Sequence, residues 1–374
     1  MTSDTPEIDE TRQLAADQFG KDLDPLEKYE SDFRQLEKDG FDAFEIMHSK
    51  VFDKQDLKER TLESYGTVFK QWKEYMDSVG RHPACPSGRH VRSFADYLQT
   101  KDHRPNSPKT VKDKLILLNR TFQYWQSDPA LPHEDDFNPF DLVLQEGGFE
   151  SSEKKDPYNI PRSELGEIVR GVKHVRDRGI IASNLKLGMR ATEVCNIELS
   201  HISLQNEVLR DHYPELGSDP QLKGHENAIL IPHDIEGNKS QRPRILPLDE
   251  EMRQVLTQWL LVRPDNGEPY LFLSHSGHSQ MERGVINRVW KKWFPEEYLE
   301  ETENRQSVTS HYGRHRFTTY WEHQGLSREF LKYMRGDTTS KDSIDDSEAV
   351  NDYIHTYYED IEETYRKQIF KLGL

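Results

Sequence analysis

Ser107 and Pro108 open the stretch that most limits what this chain can become. A serine cap followed by proline at the first helical position, where a missing N–H costs nothing, starts a helix. Val111, Leu115, Leu118, Phe122 and Trp125 then recur at three- and four-residue steps along one face. Such a face must be buried against other helices, and the preceding residues supply them. Leu62, Tyr65, Phe69, Trp72 and Met76 repeat the pattern after Thr61, read here as the cap, and Val91, Phe94, Tyr97 and Leu98 form a shorter stripe. Residues 55–128 are therefore expected to form a helical domain. Lys109, Lys112, Lys114 and Arg120 lie mainly off the third stripe, an arrangement that suits following a phosphate backbone and, more commonly, a solvated helix face.

Charge divides the chain further. The net charge of −17 argues, taken whole, against a polyanionic partner, but it is unevenly spread. Residues 1–54 hold 15 acids against 7 bases and read as an acidic N-terminal extension with one or two short helices between Leu23 and Phe52. Residues 55–127 reverse the balance, with 13 bases against 8 acids. Residues 129–156, broken by Pro129, Pro132 and Asn138-Pro139, are acidic again and read as a linker. A second domain over 157–374 follows, since 374 residues exceed what one core of ordinary size needs. Cys85 and Cys195 are too few for a disulfide framework or a cysteine metal site, and neither an export signal nor an apolar run of about 18 residues occurs. A cytoplasmic protein without membrane contact is expected.

The second domain mixes helices with short strands. Leu165, Ile168, Val169 and Val172 predict one helix, residues 180–187 another, and Leu187-Gly188-Met189-Arg190 a turn into a third. Residues 207–209, 228–231 and 244–248 are short apolar runs separated by turn formers, so a small antiparallel sheet is expected, with Lys239 near a hairpin tip. Asp249 caps a helix carrying Met252, Val255, Leu256 and Trp259, and Trp290, Trp293 and Phe294 fit another. From Val350, Ile354, Tyr358, Ile361, Tyr365, Ile369 and Leu372 line one face of a final helix; Tyr353 lies off that stripe. The fold class is mainly α with a small antiparallel sheet.

Ser310 to Thr319 carries the densest chemistry. His311, Arg314, His315 and Arg316 crowd positive and titratable groups into one turn, and His311 and Arg314, three apart, share a helix face. An arginine fork beside an imidazole suits a phosphate.

Four pieces occur in order: Arg190 after a glycine turn, the hairpin lysine Lys239, the His311/Arg314 pair, and a terminal tyrosine. Together they resemble the tyrosine recombinases, the phage integrase or Xer-like family. Leu187-Gly188-Met189-Arg190-Ala191-Thr192-Glu193 is similar to the first arginine box, Arg244-Ile245-Leu246-Pro247-Leu248 to the strand after the lysine hairpin, His311 to Thr319 to the second arginine box, and Tyr353-Ile354-His355 to the nucleophile segment. The resemblance implies a helical core-binding domain followed by an α+β catalytic domain. It implies that Arg190 and Arg314 clamp a scissile phosphate, that His311 assists, that Lys239 protonates the leaving 5′ oxygen, and that a tyrosine attacks to leave a 3′-phosphotyrosyl link. Tyr353 is favoured over Tyr357 and Tyr358. Asp337 stands where the family usually has histidine or tryptophan, and counts as a sixth site candidate.

No cofactor or metal is called for by this chemistry. The implied partner is double-stranded DNA, with a homotetramer on paired sites, and Ile361 and Ile369 are expected to be buried between protomers. A DNA-binding relative that no longer cleaves, or a type IB topoisomerase-like enzyme, are the other readings.

Overall fold

The computed structural model describes residues 5–55, 57–149, 155–337 and 347–374, leaving aside the side chains of 5–10, 347–353 and 355. The chain divides into two compact units, Met1–Lys154 and Lys155–Leu374.

The first unit is helical. Helices Glu59–Ser78, Gly88–Thr100 and Pro108–Ser127 carry the three stripes, and Ser107 accepts from the Thr110 amide as its cap. Thr61 is not a cap, because the first helix begins two residues earlier, after Lys58. Of the second stripe Val91, Phe94 and Leu98 are buried while Tyr97 faces solvent. Lys114, one of the off-stripe bases, donates to Gln71 and Asn106 at 2.6 Å each. Residues expected to stand apart are part of this core. Leu26, Phe33, Phe44 and Phe52 from the acidic extension pack in the same cluster as Phe69, Trp72, Leu115 and Phe122. The acidic 129–156 stretch likewise contributes helix Pro139–Glu146, capped by Asn138, whose Phe140 and Val143 are buried in that cluster. Acidic composition hid the place of both segments in the core, since neither net charge nor a short apolar cluster such as Phe140-Asp141-Leu142-Val143 says what it packs against.

The second unit is built around helix Val175–Lys186, buried on every side although its sequence is not apolar all round. Its polar groups are partnered within the protein, as burial demands. Arg176 pairs with Asp177 at 2.7 Å, Asn184 receives the Trp290 indole N–H at 2.9 Å and donates to the Met189 carbonyl, and Lys186 is enclosed by Asp249 and Glu251. Helices Arg162–Gly171, Glu250–Leu260, Arg283–Trp293 and Ser310–His323 surround it. Asp249 is the expected cap, accepting from the Met252 amide.

The sheet is antiparallel, in the order Ile202–Ser203, Ala228–Ile231, Arg244–Pro247, with Ile229 opposite both Ile202 and Leu246. Residues 207–209 are not one of its strands. They lie in helix Glu207–His212, because Asn206 accepts from the Leu209 amide and caps it.

The last helix, Ser347–Gln368, packs on its own unit. Ile361 and Ile369, expected between protomers, are each 2% exposed within the core of this one chain. The residues beyond the helix are pinned too: Glu251 accepts the backbone N–H groups of Leu372, Gly373 and Leu374. Among the described residues no helix is long and apolar enough to cross a membrane.

Candidate active site

Arg190 is placed by a glycine whose backbone angle and close packing both oppose a side chain. Gly188 has φ +59°, a left-handed value, and a Cβ there would sit 2.6 Å from the Phe317 ring. This close approach joins the turn to helix Ser310–His323, on which Arg314 lies one turn before Phe317. Arg314 Nη1 donates to the Gly188 carbonyl at 2.8 Å, and its Nη2 donates to the Arg335 carbonyl at 2.8 Å. The guanidinium is 3% exposed. Burial first, and then the nearby Arg244 and Arg190 charges, lower its pKa, but an arginine starts so high that it remains a cation.

Arg190 precedes helix Ala191–Asn196, and its amide donates to Glu193 Oε2 at 2.8 Å. Its Nη1 donates to Ser240 Oγ at 2.9 Å and to Glu193 Oε1 at 3.2 Å, and its Nη2 to Asp337 Oδ1 at 2.9 Å. Glu193 is fully buried and also takes Arg244 through both guanidinium nitrogens, at 2.8 and 3.3 Å, and the Ser240 hydroxyl. Burial alone would raise the Glu193 pKa; the opposing Arg244 and Arg314 charges and these hydrogen bonds bring it down to about 2. It is an anionic floor that fixes Arg190 from below.

Asp337 closes the arrangement from the other side. Its Oδ1 accepts from Arg190 at 2.9 Å and from Arg314 at 3.2 Å, and its Oδ2 lies 2.9 Å from Arg335 Nε. It follows Gly336, which ends helix Arg328–Arg335 in the left-handed region at φ +67°, and where a Cβ would meet Arg244 Nη1 at 2.6 Å.

His311 lies on the exposed side of the helix that buries Arg314. Desolvation first, then the charges of Arg314, His315, Arg190 and Arg335, lower its pKa, so the imidazole is neutral at pH 7 and free to accept a proton. Lys239 is exposed, between two residues that are not. Asn238, 1% exposed, donates to the Pro232 carbonyl and accepts from Asn196, and Ser240, 5% exposed, receives Arg190. The Gln241 amide then donates to the Gly336 carbonyl at 3.0 Å. The lysine loop is thus anchored to the turn that carries Asp337.

Tyr353 belongs to helix Ser347–Gln368, but its side chain lies outside the described residues. The two other tyrosine candidates are engaged. Tyr358 is 2% exposed, hydrogen-bonds Glu362 at 3.1 Å, and has its pKa raised by burial and by that carboxylate. Tyr357 stacks on Tyr333 with ring centroids 5.1 Å apart and donates to Glu329. Tyr333 holds the helix one residue past Tyr353. Its hydroxyl, with one proton to give, lies 3.1 and 3.0 Å from the carbonyl oxygens of Ile354 and Ile245, and it accepts from the Ile245 amide at 3.1 Å.

The structure therefore brings Arg190, Arg314 and Asp337 into contact, sets His311 beside them, and ties the Lys239 loop to the same turn. Sequence reasoning missed Ser240, Arg244, Arg335 and Tyr333. Arg244 did leave a signal, since a charge heading the apolar strand Ile245-Leu246 needs a buried partner.

Known proteins resemble this chain in sequence and in fold. The sequence profile of the Phage integrase family matches residues 160–359. The tyrosine recombinase XerA of Pyrococcus horikoshii is 23% identical over 299 residues, 75% of this chain and 88% of that protein. The tyrosine recombinase XerC of Staphylococcus epidermidis is 21% identical over 290 residues, 75% and 83% of the two chains. Among solved structures, the Tn1549 transposon integrase in complex with transposon right end DNA has a TM-score of 0.59 at 18% identity, covering 84% of this chain and 100% of that one. A lambda integrase tetramer bound to a Holliday junction has 0.57 at 14%, covering 90% and 89%. At these identities the likeness to solved structures is one of fold.

Proposed function

The chain belongs to the phage integrase family of tyrosine recombinases, and from that premise we propose how its residues divide the work of a site-specific recombinase on double-stranded DNA. A phosphodiester resists attack because its anionic oxygens repel a nucleophile, so the site must neutralise charge as the phosphorane forms. Arg190 and Arg314 hold the two non-bridging oxygens. The observation that carries this reading is their convergence: guanidiniums from separate segments reach a single carboxylate oxygen, at 2.9 and 3.2 Å. A phosphate oxygen makes the same demand.

Tyr353 is the nucleophile. Support comes from Tyr358 and Tyr357, whose hydroxyls are committed to Glu362 and Glu329. The tyrosine oxygen bonds to phosphorus as the bond to the 5′ oxygen breaks; His311, neutral and hydrogen-bond capable, takes the phenolic proton, and Lys239 gives one to the leaving oxygen. The 3′-phosphotyrosyl link retains the bond energy, so a second strand's 5′ hydroxyl can reverse the step without another energy source. Four such protomers around two duplexes complete an exchange, as in the tetramer of the lambda integrase structure.

A nicked suicide substrate, whose cleaved end diffuses away, tests the assignment. Wild type should form a covalent protein–DNA adduct that Tyr353→Phe abolishes while DNA binding persists. Loss of the adduct in Tyr357→Phe alone moves the nucleophile one helical turn. Asp337 favours one competing reading, a relative that binds DNA without cutting it, and that protein would form no adduct with any variant.

A further inference from the structure

Asp337 is placed unlike any other candidate residue: it is an acid aimed at the site's cations. Its Oδ1 takes hydrogen bonds from Arg190 and Arg314, and its Oδ2 pairs with Arg335. The other acid nearby, Glu193, is already committed to Arg244, Arg190 and Ser240. Without Asp337 the buried Arg314 would hydrogen-bond only the neutral carbonyls of Gly188 and Arg335, and the one anion left near it, Glu193, has its hydrogen bonds taken by those other groups. A buried guanidinium is costly unless an anion is hydrogen-bonded to it, and Asp337 is the carboxylate that does so for Arg314.

We infer that the Asp337 carboxylate is a resident anion occupying the seat of the scissile phosphate when DNA is absent, and that the phosphate enters by displacing it. The inference rests on the reading of Arg190 and Arg314 as the phosphate clamp. A carboxylate and a phosphodiester are both single negative charges, and neither tolerates the other within the few ångströms that one pair of guanidiniums spans. The exchange leaves the charge of the site unchanged. A phosphate met by chance must compete with an intramolecular anion, whereas a cognate duplex brings the binding energy of its whole length. Asp337 thus raises the threshold for seating a phosphate without adding any contact to the DNA.

The direct probe is inorganic phosphate, titrated calorimetrically into the full-length protein. Asp337→Asn keeps the shape and removes the charge, and should bind phosphate about tenfold or more tightly than wild type, the scale of one like charge removed from a few ångströms away. Asp337→Glu, still anionic, should stay near wild type. Because Asp337→Asn leaves Arg314 without its hydrogen-bonded anion, it should unfold at lower temperature in phosphate-free buffer and recover when phosphate is added, while wild type gains little. Unchanged or weaker phosphate binding by Asp337→Asn, or a thermal loss that phosphate does not repair, overturns the inference. The double variant Arg314→Ala, Asp337→Asn should lose the gained affinity; retention means that phosphate binds elsewhere, which also overturns it. The suicide-substrate adduct is scored separately. If wild type forms none while Asp337→Asn binds phosphate more tightly, the recombinase reading fails and the resident anion stands.

Discussion

Arg314 Nη1 lies 2.8 Å from the carbonyl oxygen of Gly188, so the second arginine segment is hydrogen-bonded to the backbone turn that presents the first. Arg190 and Arg314 therefore share one frame. Replacing Arg314 by Lys should break that frame, because one ammonium cannot reach the Gly188 and Arg335 carbonyls and an anion in a plane as the guanidinium fork does. Cleavage should fall about a hundredfold or more, the scale for losing one preorganised donor, with a smaller change in DNA affinity. Single-turnover cleavage on saturating substrate separates the two effects, and an equal loss in binding alone would contradict the clamp.

Gly188→Ala should destabilise the protein by about 1–3 kcal/mol from the left-handed backbone alone, with a further cost from the clash at 2.6 Å with Phe317. Adding Phe317→Leu should recover the steric part and leave the backbone part. Chemical denaturation of the single and double variants measures the coupling.

Tyr333→Phe removes a hydroxyl that serves the Ile245 amide and the Ile245 and Ile354 carbonyls. Leaving buried backbone groups short of partners should cost about 1–3 kcal/mol. Since Ile354 follows Tyr353, the rate of adduct formation should fall more than DNA affinity does. Affinity and rate falling together would mean that the bond serves the fold only.

Glu193 gives the acid limb of the stability curve a defined sign. Its pKa is brought down to about 2 from 4.5, so its contribution is whole above about pH 4.5 and is lost as the pH falls toward 2. A shift of that size corresponds to about 3 kcal/mol. Glu193→Gln should be less stable at pH 7 and should show a shallower loss between pH 5 and 2, measured by urea denaturation across that range.

Ile361→Ala should cost about 2–5 kcal/mol, the range for emptying a core isoleucine site, at any protein concentration. A cost that appears only as the protein is diluted or concentrated would move this residue to an interface.

How much of this was legible varies by segment. Strong periodicity made helices Glu59–Ser78, Gly88–Thr100 and Pro108–Ser127 readable, and the side-chain caps Ser107 and Asp249 marked the starts of one helix in each unit. Of helix Val175–Lys186 only the part from Ile180 was readable, and not as the centre of its unit, since Arg176, Asp177, Asn184 and Lys186 are buried through partners remote in sequence. The final helix was read correctly as one-sided, but a stripe does not name what covers it. Arg190, Arg314 and Asp337 were identifiable from the motifs that carry them. Their convergence was not, because it depends on Gly188 and Gly336 adopting positive φ and on Phe317 packing against the first. The roles of Ser240 and Arg244 follow from the strand register, which brings residue 244 opposite Ile231 and the preceding loop over Glu193.

The anchoring of Asn238 and Ser240 has an entropic consequence for the lysine between them. Fixing a residue's backbone costs about 1–2 kcal/mol, and for the residues flanking Lys239 that cost is met when the protein folds. Only the rotamers of one flexible side chain remain to be frozen in the proposed encounter with a leaving oxygen. Loosening the loop through Asn238→Gly should therefore spare the ammonium itself and make its arrival rarer, a deficit of frequency alone.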